Sequence, residues 1–227
     1  MNAVLIGGSY GIGRELARIL AVDGFNVHVY SRTLEDPFHE ASIEWHEYAV
    51  GDELSDLPDT IDAFAYLPGT INLKPFRSLK PDAFREDFET NVVGAVEAIH
   101  QVSAGLKNSS NASALMFSTV AVQTGMAFHA SVAASKGAVE GLTRSLAAEW
   151  APKIRVNAIA PSLTDTPLAG RLLGNDAKAE AAAERHPLKR VGKASDIAQM
   201  AAFLLSSRSS WITGQVLPID GGMSSIR

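Results

Sequence analysis

The chain contains no cysteine, and this absence excludes several kinds of chemistry. Without cysteine there is no disulfide framework, no thiolate ligand for a metal and no thiol nucleophile. A protein of this composition suits a reducing compartment, so we expect a cytoplasmic location. The 6 histidines include no pair one helical turn apart, and the sequence therefore predicts no catalytic metal.

Excess positive charge and a long apolar leader are also lacking. The chain has 20 Lys and Arg against 25 Asp and Glu, which gives a formal net charge of -5. Nucleic-acid-binding proteins usually concentrate Lys and Arg on one face, so nucleic acid is not an expected partner. The opening MNAVLIGGSYGIG has no basic segment before an apolar stretch and soon turns to glycine. It predicts neither a signal peptide nor a membrane span, and no membrane partner.

Short apolar runs are present, and they alternate with longer segments of helical period. This alternation is typical of repeated βα units around a parallel sheet. It predicts strands at residues 3–6, 26–30, 44–50, 61–66, 114–118, 155–160 and 215–218. It predicts helices at residues 11–23, 82–107, 131–151, 176–184 and 195–206. We therefore expect an α/β fold, a Rossmann-type doubly wound parallel sheet, formed as a single domain over residues 1–227.

Three glycines follow the first predicted strand and open the first predicted helix. In LIGGSYGIGREL these are Gly7, Gly11 and Gly13. Such a turn lets backbone N–H groups approach a pyrophosphate that the helix N-terminus also attracts. Glycines of this kind also build tight βα turns that bind nothing. Their position in the first βα unit favours dinucleotide binding over that alternative.

The end of the second predicted strand, in FNVHVYSRT, indicates which dinucleotide is bound. An NAD site normally has a carboxylate here that accepts from the ribose 2′-OH, whereas a 2′-phosphate requires a cation. Ser31 occupies the acidic position and Arg32 follows it. A guanidinium can bind a phosphate through two hydrogen bonds, which favours NADP(H) over NAD(H). The alternative is that Arg32 is a solvated residue at a strand end.

Further motifs occur along the chain in a consistent order. They are NVVG, FSTVA, SKGAVEGLTRSLAAEW, IRVNAIAPSLTDT and WITGQVLPIDGG. Together with GGSYGIG they make the chain resemble the short-chain dehydrogenase/reductase family over nearly its whole length. The resemblance implies a single doubly wound domain that assembles as a homotetramer or homodimer. It also implies hydride transfer between a nicotinamide and a small carbonyl, alcohol or activated alkene.

The resemblance also implies roles for individual residues. Residues that would line the pyrophosphate are Gly7, Ser9, Tyr10, Gly11, Ile12 and Gly13. Residues that would line the adenosine phosphate are Ser31, Arg32 and Thr33. Residues that would line the nicotinamide side are Gly69, Asn91, Lys136, Pro161, Thr164 and Thr166. Among these, Lys136 would bind the ribose, and Asn91 would hold a water that relays protons to Lys136.

The positions that carry the family's proton chemistry depart from its pattern. The tyrosine four residues before the lysine is replaced by Val132, and the serine upstream of it by Thr119. Threonine keeps a hydroxyl that can hydrogen-bond a substrate oxygen, whereas valine has no group that gives or takes a proton. General acid–base assistance is worth roughly 10²–10⁴-fold, so an uncompensated loss predicts a feeble enzyme.

His129 is the candidate replacement for the tyrosine as proton donor. Its spacing to Lys136, His-x6-Lys, equals the Tyr-x6-Lys spacing of the enoyl reductases in the same superfamily. An imidazole titrates near neutral pH and can donate without a shifted pKa. The alternative is a loop or helix-cap histidine that faces solvent or a partner subunit. Ser131 is the residue expected to cap the helix that begins here.

Two functions therefore stay open from the sequence. One is an NADP(H)-dependent oxidoreductase in which Thr119 orients the substrate and His129 or water donates the proton. Lys136 and Asn91 would then form the relay. The other is a non-catalytic NADP(H)-binding sensor or scaffold, because Val132 removes the usual donor.

The substrate pocket is expected between the loop after Gly69 and the residues at 125–128 and 163–173. These stretches are apolar and predict a small-molecule substrate of moderate hydrophobicity. The Ala-rich segment 168–193 predicts either surface helices or a mobile lid over the pocket. Residues 32–58 leave little room for full helices, so we expect the adenine end of the site to be open.

Overall fold

Seven parallel strands form one sheet in this computed structural model, which describes residues 1–226. The strands of this sheet are β1 (Asn2–Ile6), β2 (Asn26–Ser31), β3 (Ile43–Glu47), β4 (Ala63–Tyr66), β5 (Ala112–Phe117), β6 (Ile154–Pro161) and β9 (Val216–Ile219). Two short strands, β7 (Thr164–Asp165) and β8 (Gly192–Lys193), pair separately. The spatial order is β3-β2-β1-β4-β5-β6-β9. It reverses between β1 and β4, which leaves a crevice at the carboxyl ends of the strands.

Helices cover both faces of this sheet. In chain order they are α1 (Gly11–Val22), α2 (Pro81–Phe88), α3 (Gly94–Asn108), α4 (Ala121–Thr124), α5 (Ala130–Trp150), α6 (Asp176–Glu184) and α7 (Ala194–Leu205). Helices α1 and α7 pack on one face, and α3 and α5 on the other. Because both faces are covered, the central strands are mostly apolar, and every residue of β4 and β5 is buried. No helix within residues 1–226 is both long and apolar enough to cross a membrane.

A π-helical turn at Glu89–Val93 separates α2 from α3. The sequence predicted one continuous helix over residues 82–107, and the structure corrects this prediction. A π turn accommodates an extra residue in the helix, and such turns are frequent at functional sites. Asn91 lies within this turn and is 1% exposed.

The predicted fold class is confirmed. All seven predicted strands and the other four predicted helices occur within a few residues of their expected bounds. No helix forms within residues 32–62, in agreement with an open adenine end. The prediction for Ser131 was wrong, because the N-cap position of α5 is His129, whose side chain makes no capping hydrogen bond. The Ser131 hydroxyl is instead buried, with no hydrogen-bond partner in residues 1–226.

Candidate active site

A cleft of about 1430 Å³ lies where β1, β4, β5 and β6 end. Every predicted site residue lines it except Asn91, which is buried behind its wall. The predicted residues that line it are Gly7, Ser9, Tyr10, Gly11, Ile12, Gly13, Ser31, Arg32, Thr33, Gly69, Thr119, His129, Lys136, Pro161, Thr164 and Thr166. The fold therefore brings the separate motifs of the chain together on one surface.

The glycine turn has no room for side chains at its tightest points. A Cβ on Gly13 would lie 2.5 Å from the carbonyl oxygen of Gly7. Gly11 has a φ of +50°, and a Cβ there would lie 3.1 Å from the side chain of Thr166. The first N–H groups of α1, which begins at Gly11, have no partner within the helix. The turn is thus a cradle of backbone donors whose shape fits a pyrophosphate.

Ser31 and Arg32 form the adenosine end of the cleft. The Ser31 side chain is held in place, since its hydroxyl donates to the carbonyl of Thr33 at 3.1 Å and accepts from the indole of Trp45 at 2.8 Å. Arg32 is exposed and forms no ion pair with any residue in 1–226. Its guanidinium is therefore available to a phosphate.

The charge on the wall of the cleft is of one sign. Although the chain has 25 Asp and Glu, none of those in the described part of the chain lines the cleft. The cations that line it are Arg32, Lys136, Lys178 and Arg185. Lys178 and Arg185 are two helical turns apart on one side of α6, which borders the cleft. A cleft with this lining favours anionic ligands.

Lys136 lies on α5 in the wall of the cleft and is 7% exposed. Burial lowers its pKa to about 8, and the negative charge of Asp87 partly offsets that effect by raising it. Gly69 provides the space opposite the ammonium group. A Cβ on Gly69 would lie 3.3 Å from Lys136 Nζ and 3.5 Å from Asn91 Oδ1. The absence of a side chain at Gly69 therefore allows Lys136 and Asn91 to approach the same point.

A chain of hydrogen bonds runs behind Lys136. Asn91 Nδ2 donates to Ser135 Oγ at 2.9 Å and to Thr70 Oγ1 at 3.2 Å. The Thr70 hydroxyl donates to Asp87 Oδ1 at 2.6 Å. The sequence indicated Asn91 as a site residue, but it did not indicate Ser135, Thr70 or Asp87. The only available signal was that Asp87 precedes Asn91 by one helical turn and so faces the same way.

Val132 and Thr119 are the residues at which the resemblance leads us to expect a tyrosine and a serine. Val132 lines the cleft and is 5% exposed, so it presents methyl groups there. Thr119 also lines the cleft, and its hydroxyl accepts from the backbone N–H of Ala121 at 3.3 Å. The neighbouring Ser118 is not free for a substrate, because its hydroxyl donates to Glu140 at 2.9 Å. Thr119 is therefore the hydroxyl that remains available at this place.

His129 lines the cleft at the start of α5. Its Nδ1 lies 2.7 Å from the carbonyl oxygen of Ala127. Because a carbonyl can only accept, Nδ1 carries a proton, and the neutral ring then has no proton on Nε2. The ring can donate from Nε2 only as an imidazolium. The preceding residue, Phe128, has a φ of +70°, a strained value for a bulky residue that the sequence did not predict.

Ser162 and His186 form a second polar contact that sequence analysis missed. The Ser162 hydroxyl lies 2.8 Å from His186 Nε2, and His186 Nδ1 lies 2.8 Å from the carbonyl oxygen of Ala182. In the neutral ring Nδ1 therefore donates to the backbone and Nε2 accepts from Ser162. Ser162 thus ties the end of α6 to the end of β6.

One group of side chains outside the cleft has metal-ligand chemistry. His28, Glu44 and His46 meet on neighbouring strands β2 and β3, and in residues 1–226 they are the one group of this kind. His28 Nδ1 and His46 Nε2 are 3.4 Å apart, with ring centroids 5.6 Å apart and 19° between the ring planes. These values fit an N–H···N hydrogen bond, in which each nitrogen points toward the other. The ligands of a tetrahedral metal would instead both point toward the metal position. We interpret the group as a hydrogen-bonded pair.

Comparison with known proteins identifies the family. A family model described as Enoyl-(Acyl carrier protein) reductase matches residues 41–224. A tropinone reductase homolog of Arabidopsis thaliana is 32% identical over 99% of this chain and 93% of its own length. The chain belongs to the short-chain dehydrogenase/reductase family of oxidoreductases. L-xylulose reductase of Bos taurus, another relative, is 28% identical over 97% of this chain and 95% of its own length.

Solved structures of the short-chain dehydrogenase/reductase family agree with this assignment. One described as a short chain dehydrogenase/reductase family protein has a TM-score of 0.90 and 28% identity, covering 100% of this chain and 98% of its own. The aldohexose dehydrogenase of Thermoplasma acidophilum has a TM-score of 0.86 and 28% identity, covering 98% and 93% of the two chains. The similarity therefore extends over the whole chain, including the segments around Val132.

Proposed function

We propose that the protein is an NADP(H)-dependent oxidoreductase that transfers hydride between the nicotinamide and a small carbonyl, alcohol or activated alkene. The observation that carries the proposal is one cleft that joins a glycine cradle, an arginine without an ion pair and a buried lysine. The names of the relatives, which include reductases and a dehydrogenase, support the same reaction class.

The residues present fit the cofactor. Its pyrophosphate would lie in the turn of Gly11 and Gly13, and the 2′-phosphate against Arg32. The ribose of the nicotinamide would be bound by Lys136, and the carboxamide by Thr164 and Thr166. The cofactor supplies the hydride when it is bound.

The remaining residues act on the substrate. The Thr119 hydroxyl orients the reacting oxygen, and His129 as an imidazolium, or a water, delivers the proton that the alkoxide requires. Lys136 and Asn91 complete the relay. Apolar side chains on the wall of the cleft suit a substrate of moderate hydrophobicity, and they include Leu73, Met126, Phe128, Leu163, Leu168 and Leu172.

The test begins with binding. Calorimetry should show NADPH bound more tightly than NADH, and absorbance of NADPH should then fall with at least one member of a panel of ketones, aldehydes and enones. If neither nicotinamide dinucleotide binds, the proposal is wrong. His129→Ala tests the role of the histidine separately, because a variant as fast as the parent removes His129 from the mechanism.

A second candidate function is a non-catalytic NADP(H)-binding sensor or scaffold. The observation that favours it is Val132, whose methyl groups occupy the donor's place on the wall of the cleft. Tight NADPH binding with no turnover across the whole panel would support this candidate. A single robust substrate would eliminate it.

We further propose that the protein assembles as a homotetramer or homodimer in the cytoplasm. Trp211 is 98% exposed in the single chain, and Phe76 is 73% exposed. Large apolar side chains in the open are frequent at contacts between subunits. Sedimentation of the purified protein measures the assembly, and a monomer at micromolar concentration would contradict the proposal.

A further inference from the structure

Two charged groups near Val132 are incompletely paired in residues 1–226. Lys136 is the cation, and no hydrogen bond to its ammonium contributes to its pKa, on which the charge of Asp87 acts from a distance. Asp87 is the anion and is 1% exposed. Its Oδ1 accepts from Thr70, whereas its Oδ2 has no hydrogen-bond partner in residues 1–226. Asn91 Oδ1 is also buried without a partner there.

A buried carboxylate is unfavourable unless a cation or several hydrogen bonds compensate it. In residues 1–226 the carboxylate of Asp87 has one hydrogen bond, from Thr70. Asp87 is the charged group that favours the protonated form of Lys136. The geometry connects the two groups, because Thr70 bonds both Asp87 and Asn91, and Asn91 Oδ1 and Lys136 Nζ lie beside the same point at Gly69. Neither Thr70 nor Asp87 belongs to the set of residues that the family resemblance implied.

We infer that Lys136 itself gives and takes the substrate proton in this enzyme, and that Asp87 is a positioning residue that keeps its ammonium form available. This inference rests on the proposed oxidoreductase function. It differs from that proposal in the identity of the donor. Val132 is essential to it, because a tyrosine in that place would stand between Lys136 and the substrate.

The proton balance of the step is simple. During reduction a hydride forms a new C–H bond at the carbonyl carbon, and the π electrons of the C=O bond move to oxygen. The oxygen takes a proton from Lys136 Nζ, so an O–H bond forms and an N–H bond breaks. Lys136 is left as a neutral amine that regains its proton from solvent at the mouth of the cleft. Oxidation of an alcohol runs the same steps in reverse.

The acidity of Lys136 matches this task. A general acid works best when its pKa is near the working pH. Burial brings the pKa of Lys136 to about 8, and Asp87 prevents a further fall. His129 lines the same cleft, with its Nδ1 held by the carbonyl oxygen of Ala127. Two further titratable groups are engaged elsewhere. Tyr66 donates to the carbonyl of Thr90, and Glu140 accepts from Ser118.

The first test measures Lys136 in the free protein and needs no activity. Lysine labelled with ¹³C at the ε carbon gives an NMR signal that shifts on titration, and the signal of Lys136 is identified by its loss in Lys136→Arg. We expect it to titrate near pH 8, at lower pH in Asp87→Asn, and unchanged in Glu86→Gln. Glu86 is the matched control, since it is the exposed neighbour of Asp87 on the same helix. A signal that titrates as an ordinary lysine, or that ignores Asp87→Asn, overturns the inference.

The second test uses turnover. Lys136→Arg keeps a positive charge for the ribose, but arginine does not lose its proton in proteins. We expect NADPH affinity within a few-fold of the parent and a fall of about 100-fold or more in kcat, the usual worth of a general acid. The alkaline limb of the pH–rate profile should move to lower pH in Asp87→Asn by the same amount as the NMR titration.

The outcomes separate the inference from the proposed function. If Lys136→Arg turns over at the parental rate with the parental pH profile, Lys136 is not the donor, although the protein is still an NADP(H) oxidoreductase. If the parent binds no NADPH, the proposed function fails first, and the NMR titration still decides whether Asp87 and Lys136 are coupled.

Discussion

The two ends of the cleft are built in different ways. At the glycine turn, function depends on backbone shape, because a Cβ on Gly11 or Gly13 would meet neighbouring atoms. At the lysine end, it depends on buried side chains that act through charge and hydrogen bonds. A backbone site cannot change its residues without changing its shape. A side-chain site can exchange one residue for another and keep the fold, and a valine at position 132 is compatible with the α/β architecture seen here.

The largest expected effect disrupts the backbone end. Gly13→Ala places a methyl group 2.5 Å from the carbonyl oxygen of Gly7, so the turn must shift. We expect NADPH affinity, measured by calorimetry, to fall by about 100-fold. Gly141→Ala is the control, because no atom lies within 4 Å of a Cβ there. That variant should bind normally and gain about 0.5–1 kcal/mol in the free energy of unfolding. If Gly13→Ala and Gly141→Ala bind NADPH equally well, cofactor binding does not depend on the missing side chain at Gly13.

Arg32→Ala tests whether this side chain is needed to distinguish NADPH from NADH. A charge-assisted hydrogen bond contributes about 1.5–3 kcal/mol, so NADPH affinity should fall roughly 10–100-fold. NADH affinity should stay the same, because NADH has no 2′-phosphate. Arg77→Ala removes an exposed arginine outside the cleft and should change neither value. If the affinities for NADPH and NADH fall equally in Arg32→Ala, Arg32 does not bind the 2′-phosphate.

Restoring a phenol tests the side-chain end. In Val132→Tyr a tyrosine returns beside Lys136, and we expect carbonyl reduction to rise by about tenfold. The gain should be smaller than the full roughly 10²–10⁴-fold of a general acid, because we infer that Lys136 already donates. Val132→Phe carries the same ring without the hydroxyl and should show no gain. A gain in both variants would assign the effect to packing of the substrate.

The smallest effect is expected away from both ends, at Asp196. The hydrogen bond from Arg190 lowers the pKa of Asp196, and the backbone N–H of Lys193 adds to this. A lowered folded pKa contributes stability that is present above the ordinary value of 3.8 and is lost as the pH falls through the lowered one. Asp196→Asn should therefore cost about 0.5–1 kcal/mol at pH 7, given solvent screening, and nothing in strong acid. Denaturant unfolding at several pH values measures this difference.

Asp176→Asn is the matched control for that measurement. Asp176 also begins a helix, α6, but has no ion pair in residues 1–226. Its loss should change the unfolding free energy less than the loss of Asp196 does at pH 7. NADPH affinity should be unaffected in both variants. A pH-independent deficit in Asp196→Asn would show that its contribution is not electrostatic.

The sequence was more informative about the backbone end than about the side-chain end. Strand positions and the glycine turn follow from local patterns of apolar residues and glycine spacing. The contact between Thr70 and Asp87 joins a loop to a helix 17 residues away, and no local pattern marks it. His28 and His46 meet because β2 and β3 pair in one register, which spacing along a single chain does not reveal. The π turn was missed because the helical period of the sequence continues through it.

The extra residue in the turn Glu89–Val93 has a consequence for insertions and deletions. A π turn holds one residue more than a turn of α-helix, so deleting one residue from this turn would restore regular winding and remove the local bulge. Asn91 lies in that bulge, and its side chain would then be displaced relative to Lys136 although no residue type at the site had been altered. Length, as well as composition, is thus under constraint in this segment of the protein.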